Sequence, residues 1–212
     1  MTNHGGGPTN RDPLDIQAGS PSGPTHRVPG TPHAVVAHFF SRLPVGTLLN
    51  LGAGSTSLAD RERQVIGVDI EPPDVTSGIF VCADAARLPF DSNTFDGALL
   101  KDIVEHVADP IAILREVRRV VRPGATILLT TPRAVPRAVW DDPTHIRGFT
   151  RRALCTLIDR GGWRLTYGPR RIGSLPGAGH LGLVPHLETI LAVPGFGHWF
   201  GTNWIIEATP AG

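Results

Sequence analysis

Thr47-Leu-Leu-Asn-Leu-Gly-Ala-Gly-Ser-Thr56 is the stretch whose reading decides the fold. Leu48, Leu49 and Leu51 form an apolar run that enters a Gly-x-Gly turn at Gly52 and Gly54. A second apolar run, Val65-Ile-Gly-Val68, follows and ends in Asp69. The pattern predicts a buried strand, a glycine loop where backbone meets ligand, and a second strand that presents a carboxylate. Two parallel strand ends of this kind make a nucleoside site.

Downstream, strands and helices alternate. Ile79-Phe-Val-Cys-Ala83 reads as a third strand ending in Asp84, reached through the turn-like stretch Glu71–Gly78 where a doubly wound fold usually places a helix. Ser57–Arg63 leaves room for only about two helical turns before the second strand. Phe95-Asp-Gly-Ala-Leu-Leu100 is a fourth, buried strand with Lys101 and Asp102 at its carboxyl end. Asp109-Pro110 is the N-cap and first position of a helix with Ile111, Leu114, Val117 and Val121 on one face. Its arginines, Arg115, Arg118, Arg119 and Arg122, read as a solvated face. Arg122-Pro-Gly-Ala125 ends that helix before a fifth strand, Thr126–Thr131.

Thr150 N-caps a helix over Arg151–Arg160, and Trp163–Gly168 begins a sixth strand. Asn203–Thr209 is a final strand whose weak alternation suggests an edge-side position. Upstream, Thr31-Pro32 opens a short helix with Val35, Val36, Phe39, Phe40 and Leu43 on its apolar face. The expected architecture is α/β: a Rossmann-like three-layer sandwich around a mostly parallel sheet of about seven strands, with some flanking helices shortened.

Composition narrows the classes. The chain has 212 residues and a net charge of +1, with scattered arginines and Lys101 as its single lysine, so bulk charge gives nucleic acid no support. Residues 1–29 are rich in Gly, Pro, Ser, Thr and Asn and predict a flexible leader ahead of a domain over 30–212. No apolar run reaches the length of a membrane span. Two distant cysteines, Cys82 and Cys155, suggest no disulfide framework, and a cytoplasmic location is expected. His180, His186 and His198 show no close ligand pair, so no metal is expected.

The ordered motifs resemble a known family. Leu49–Thr56 followed by Gly67-Val-Asp-Ile70 resembles the first two motifs of the class I S-adenosylmethionine-dependent methyltransferases. Ala83-Asp-Ala-Ala-Arg-Leu-Pro-Phe90, Phe95-Asp96, Val104-Glu-His-Val107 with Asp109-Pro110, and Arg119-Val-Val-Arg-Pro-Gly124 resemble its small-molecule "type 11" branch. Two positions depart from the pattern: Asn50 stands where the family usually carries an acid, and Thr56 where it carries a third glycine.

The resemblance implies S-adenosylmethionine as cofactor and S-adenosylhomocysteine as product. It assigns Asn50, Gly52, Ala53, Gly54, Asp69, Ile70, Asp84, Ala85, Lys101 and Asp102 to the cofactor site. In that reading Gly52 and Gly54 allow close backbone approach. Asp69 accepts the ribose hydroxyls, and Asp84 and Ala85 meet the adenine. The backbone at Lys101 and Asp102 lines the methionine limb. Asp69 and Asp84 also fit simple turn caps, and His106 of the Glu105-His106 pair fits a packing role.

The expected reaction is methyl transfer to O or N of a small molecule such as a secondary metabolite, sugar or nucleoside. A general base is needed only for a neutral hydroxyl, phenol or protonated amine. His145 is the first candidate, with Trp140, Asp142 and Arg147 beside it as acceptor-binding residues; a loop-pinning role for Asp142 and His145 stands next to it. Residues 173–201, with Leu181, Leu183, Phe196, Trp199 and Phe200, read with Trp140 as a cover over the acceptor, and ordinary core packing of the C-terminal segment stands beside that reading. The oligomeric state is open between monomer and homodimer. A nicotinamide-dependent oxidoreductase shares the glycine loop and acidic strand end, and a catalytically silent scaffold of the same fold is the third reading.

Overall fold

The structure is a computed structural model that describes residues 38–39, 41–54, 62–71, 78–172 and 201–212. The leader over 1–29, the helix start at Thr31, the shortened helix after the glycine loop, the turn-like stretch over 72–77 and nearly all of the 173–201 cover lie outside the described residues.

Seven strands form one sheet: β1 Thr47–Leu51, β2 Gln64–Asp69, β3 Ile79–Cys82, β4 Phe95–Lys101, β5 Val121–Pro132, β6 Trp163–Ile172 and β7 Asn203–Pro210. Their order is β3-β2-β1-β4-β5-β7-β6. The first five are parallel, while β7 runs antiparallel to both β5 and β6. The chain leaves β1 in one direction for β2 and β3, then returns to place β4 on the other flank of β1. That reversal is a topological switch point, and the crevice outside the carboxyl ends of β1 and β4 is where such sheets take ligands.

Both sheet faces are covered, which is why β1 reads as a nearly continuous apolar run. Leu49, Leu51, Ala98, Leu100, Ile127, Leu129 and Ile206 face one core. Leu48, Leu99, Leu128 and Ile205 face the other, packed against Phe39 and Leu43. The first core is closed by helices α1, Pro110–Val120, and α3, Arg151–Arg160. Each fully buried Leu or Ile contributes roughly 1.5–3 kcal/mol.

The cap signals are satisfied as their chemistry requires. Asp109 accepts from the amides of Ile111 and Ala112, both at 3.0 Å, and Thr150 accepts from Ala153 at 3.2 Å. The buried face of α1 is Pro110, Ile113, Leu114, Val117 and Val120, with Ile113 rather than Ile111 at its centre. Its arginine face is not merely solvated. Arg119 donates to the carbonyls of Phe90 and Leu88 and pairs with Glu116, and Arg118 donates to the Ala211 carbonyl at 2.7 Å.

Three further expectations are corrected. The segment Arg122-Pro-Gly-Ala125 belongs to β5, because Val121 already pairs with Phe95 before a register shift. A short helix, α2, Pro136–Val139, interrupts the loop after β5. The final strand is interior: β7 lies between β5 and β6, and the edge belongs to β6. The weak alternation of β7 reflects burial on both faces, since Trp204 through Ala208 are all buried. Glu207 is among them, paired with Arg42. Among the described residues no helix is long and apolar enough to cross a membrane.

Candidate cofactor and acceptor site

At the switch point the glycine loop is tied to β2 by its own amides. Gly52 and Ala53 both donate to the Val68 carbonyl, at 2.9 and 3.1 Å, and Gly54 donates to Asp69 Oδ2 at 2.8 Å. Gly52 and Gly54 adopt φ of +71° and +52°, a region that favours glycine. A Cβ on Gly52 would lie 3.0 Å from Ile103, whereas one on Gly54 would meet nothing within 4 Å among the described residues. The loop is therefore packed against the turn after β4 on one side, and the described residues leave space beside Gly54.

Asp69 Oδ1 accepts from the Ile70 amide at 2.7 Å, so its carboxylate organises the end of β2 as well as the loop. Ile70, beside it, is 70% exposed at the strand ends. Asp84 caps its own turn, accepting from the Ala86 amide at 2.9 Å and from Arg87 at 3.4 Å. Ala85 lies in that turn. Asn50 is 4% exposed within β1, on the opposite face from Leu49 and Leu51.

Asp102 is held at φ +50° by four bonds to three residues. Its amide donates to the Thr130 carbonyl, Oδ1 accepts from Thr130 Oγ1 at 2.9 Å and Asn203 Nδ2 at 3.3 Å, and Oδ2 pairs with Lys101 at 3.0 Å. A left-handed aspartate costs about 1–2 kcal/mol, and these bonds oppose its relaxation. The turn after β4 is thereby fixed to β5 and β7.

Beyond it, a polar cluster joins that turn to the loop after β5. Glu105 is fully buried; Thr131 Oγ1 donates to its Oε2 at 3.0 Å, and its Oε1 is buried with no hydrogen-bond partner among the described residues. Burial, aided by the nearby Asp102 charge, pushes its carboxyl up to about 7. The Ile146 amide donates to the Glu105 carbonyl, and Arg147 donates to the Ala108 carbonyl at 2.9 Å. The rings of His106 and His145 are 4.6 Å apart. His145 Nδ1 lies 2.7 Å from the Val139 carbonyl, and its Nε2 lies 3.8 Å from Asp142 Oδ2. Hydrogen bonds from the amide and hydroxyl of Thr144 hold the Asp142 carboxyl below its ordinary value.

Of the residues expected around the acceptor, Asp142, His145 and Arg147 converge on the segment after β4, while Trp140 stands 63% exposed at the end of α2. Asp142 and His145 do pin the loop; Nε2 of His145 is left on the other side of its ring. The sequence did not single out Glu105 as a buried carboxylate, nor Thr131 as its partner, Thr144 beside His106 and Asn203 beside Asp102. One local signal existed for Thr144: Asp142 two residues before it is a common side-chain turn pattern.

A glycine turn and acidic strand ends at the switch point of a mostly parallel sheet define an α/β domain of the kind that takes ligands at its carboxyl strand ends. Residues 48–129 match a family model described as a methyltransferase domain. An "Uncharacterized methyltransferase" of Mycobacterium tuberculosis is 33% identical over 104 residues, 42% of this chain and 41% of that protein. The match thus spans about two fifths of that relative's length. A solved S-adenosylmethionine-dependent methyltransferase of Archaeoglobus fulgidus has a TM-score of 0.60 at 18% identity, covering 83% of this chain and 91% of that one. A Burkholderia thailandensis 1,6-didemethyltoxoflavin-N1-methyltransferase with bound S-adenosylhomocysteine has a TM-score of 0.58 at 16% identity, with coverage of 89% and 80%. Residues 48–129 thus match the methyltransferase-domain family that the motifs resemble, and the fold is the one seen in solved S-adenosylmethionine-dependent methyltransferases.

Proposed function

We propose that the protein transfers a methyl group from S-adenosylmethionine to O or N of a small molecule, with a secondary metabolite, sugar or nucleoside as the acceptor class. The observation that carries this reading is the commitment of all three loop amides, Gly52, Ala53 and Gly54, to β2. A dinucleotide's pyrophosphate needs free backbone N–H groups in this loop. A cofactor without phosphate needs only open space beyond Gly54 and acceptors for its hydroxyls. Asp69 has lone pairs left for a ribose diol, Ile70 offers apolar surface to a base, and Asp84 and Ala85 stand at the next strand end. Asn50, Ala53, Lys101 and Asp102 complete the wall.

When bound, the cofactor supplies a sulfonium methyl that an acceptor lone pair displaces in line. The chain's task is alignment and exclusion of water, which can supply roughly 7–11 kcal/mol. His145, with Nδ1 directed to the Val139 carbonyl, carries its remaining lone pair on Nε2 and is the proposed proton acceptor for a neutral hydroxyl. Trp140, Asp142 and Arg147 frame the same approach.

Calorimetric titration with S-adenosylmethionine and S-adenosylhomocysteine tests the cofactor, and isotopically labelled cofactor with a small-molecule library tests the reaction. Saturable binding of both, with label transferred to a small molecule, is expected. No binding at millimolar cofactor, or saturable binding of reduced nicotinamide instead, would overturn it.

A further inference from the structure

Glu105, His106 and His145 each bring one potential metal-ligating atom within 4.8 Å of the others. Two elements far apart in sequence meet to do this, the turn after β4 and the loop after β5. The hydrogen bonds around them select ligand atoms. Thr144 Oγ1 gives its proton to Asp142 Oδ1, at 2.6 Å, so toward His106 Nδ1, 3.0 Å away, it can only accept. The Thr144 carbonyl, 3.3 Å from the same nitrogen, also only accepts. His106 Nδ1 is therefore the protonated nitrogen, and by the same logic so is His145 Nδ1 against the Val139 carbonyl. Both rings keep their lone pair on Nε2, with Nδ1–H anchored on an oxygen, which is the outer-shell arrangement of metal-ligating histidines. The carboxylate is equally constrained. Thr131 occupies Oε2, and Oε1 of this fully buried residue has no hydrogen-bond partner among the described residues.

We propose that Glu105 Oε1, His106 Nε2 and His145 Nε2 bind one divalent transition-metal cation of the zinc class. Two imidazoles and one carboxylate favour such an ion over magnesium or calcium, which prefer all-oxygen shells. Three protein ligands leave a fourth position open for a water or an acceptor oxygen, whose pKa the cation lowers. Asp142, with Oδ2 at 3.8 Å from His145 Nε2, stands beside His145. Ligands about 2.0–2.1 Å from zinc crowd closely around it, so loading draws the turn after β4 and the loop after β5 together. This departs from the metal-free expectation of the sequence; in the metal-loaded protein His145 Nε2 is a ligand, and its proposed role as proton acceptor belongs to the metal-free protein. It does not depend on the cofactor assignment, because the test uses the protein without cofactor.

Equilibrium dialysis of the chelator-treated full chain against Zn(II) is expected to load one equivalent per chain. Co(II) should give the intense visible absorption of a low-coordinate site. At roughly a hundredfold excess over the dissociation constant, Zn(II) should raise the melting temperature by about 5–10 °C. Glu105→Gln and His145→Ala should each weaken uptake at least tenfold and abolish the thermal shift. His106→Ala, on an exposed side chain, provides the same test if a buried-site variant loses its far-ultraviolet circular dichroism. Uptake below half an equivalent by the wild type, or unchanged affinity in folded variants, would overturn the proposal, the latter assigning the ion to other histidines.

Discussion

Asp69 Oδ2 accepts the Gly54 amide at 2.8 Å, so the carboxylate at the end of β2 holds the glycine loop at the end of β1. One side chain thereby shapes the loop and, in the proposed function, receives the cofactor's ribose. Asp69→Ala should weaken S-adenosylmethionine binding at least tenfold, about 1.4 kcal/mol or more. The carboxylate stands at the strand end rather than in the core, so the folded state should survive the change. Calorimetry checks the affinity and a thermal melt the fold. Affinity within a factor of two of wild type would remove Asp69 from the site.

Gly52 and Gly54 separate packing from ligand approach. Gly52→Ala combines a left-handed backbone with a Cβ 3.0 Å from Ile103, and should lower stability by about 2–4 kcal/mol. Gly54→Ala carries only the backbone term, about 1–2 kcal/mol, because its Cβ meets nothing within 4 Å among the described residues. A folded Gly54→Ala that still loses cofactor affinity tenfold would place the ligand in that open space. Urea denaturation of both variants, read against calorimetry, gives the comparison. Equal stability losses would contradict it.

Glu116 predicts an acid-dependent stability. The hydrogen bond and charge of Arg119, with a bond from the Leu88 amide, hold its carboxyl below the ordinary value of 4.5. A carboxyl lowered in the folded state stabilises fully above its unfolded value and loses that contribution as pH falls through the folded one. Wild type should therefore exceed Glu116→Gln by about 1 kcal/mol at pH 7, with the difference shrinking as pH falls below 4.5 and through the lowered folded-state value. Urea midpoints across that range measure it, and a difference constant with pH would disprove the linkage.

Among the described residues, Thr131 is the side chain that donates to the buried Glu105 carboxyl, through Oγ1 to Oε2 at 3.0 Å. Thr131→Val keeps the shape and removes the hydroxyl, leaving both carboxyl oxygens of Glu105 without that support. In chelator-treated protein the change should cost about 1–3 kcal/mol by urea denaturation. A cost under about 0.5 kcal/mol would mean that the carboxyl finds another partner.

Much of this molecule was legible because its signals are local. The apolar run into Gly52 and Gly54, the strand ending in Asp69, and the caps at Asp109 and Thr150 each depend on neighbours a few residues away. Steric freedom at positive φ and unsatisfied amides at a helix start determine them without knowledge of the rest of the chain. The rest required distant partners. That β7 lies inside the sheet follows from its pairing with both β5 and β6, and its continuous burial looks, in sequence, like a merely weak alternation. Arg119 became a staple only when α1 packed over Leu88 and Phe90. The meeting of Glu105 and His106 with His145 depends on the register that brings β4 against β5 and on the short helix α2, which turns the loop back. By itself, then, the sequence determined the cofactor-type loop and its acidic strand ends. The buried carboxylate–imidazole cluster needed the tertiary structure, because the partners of Glu105 and His106, Thr131 and Thr144, lie 26 and 38 residues away along the chain.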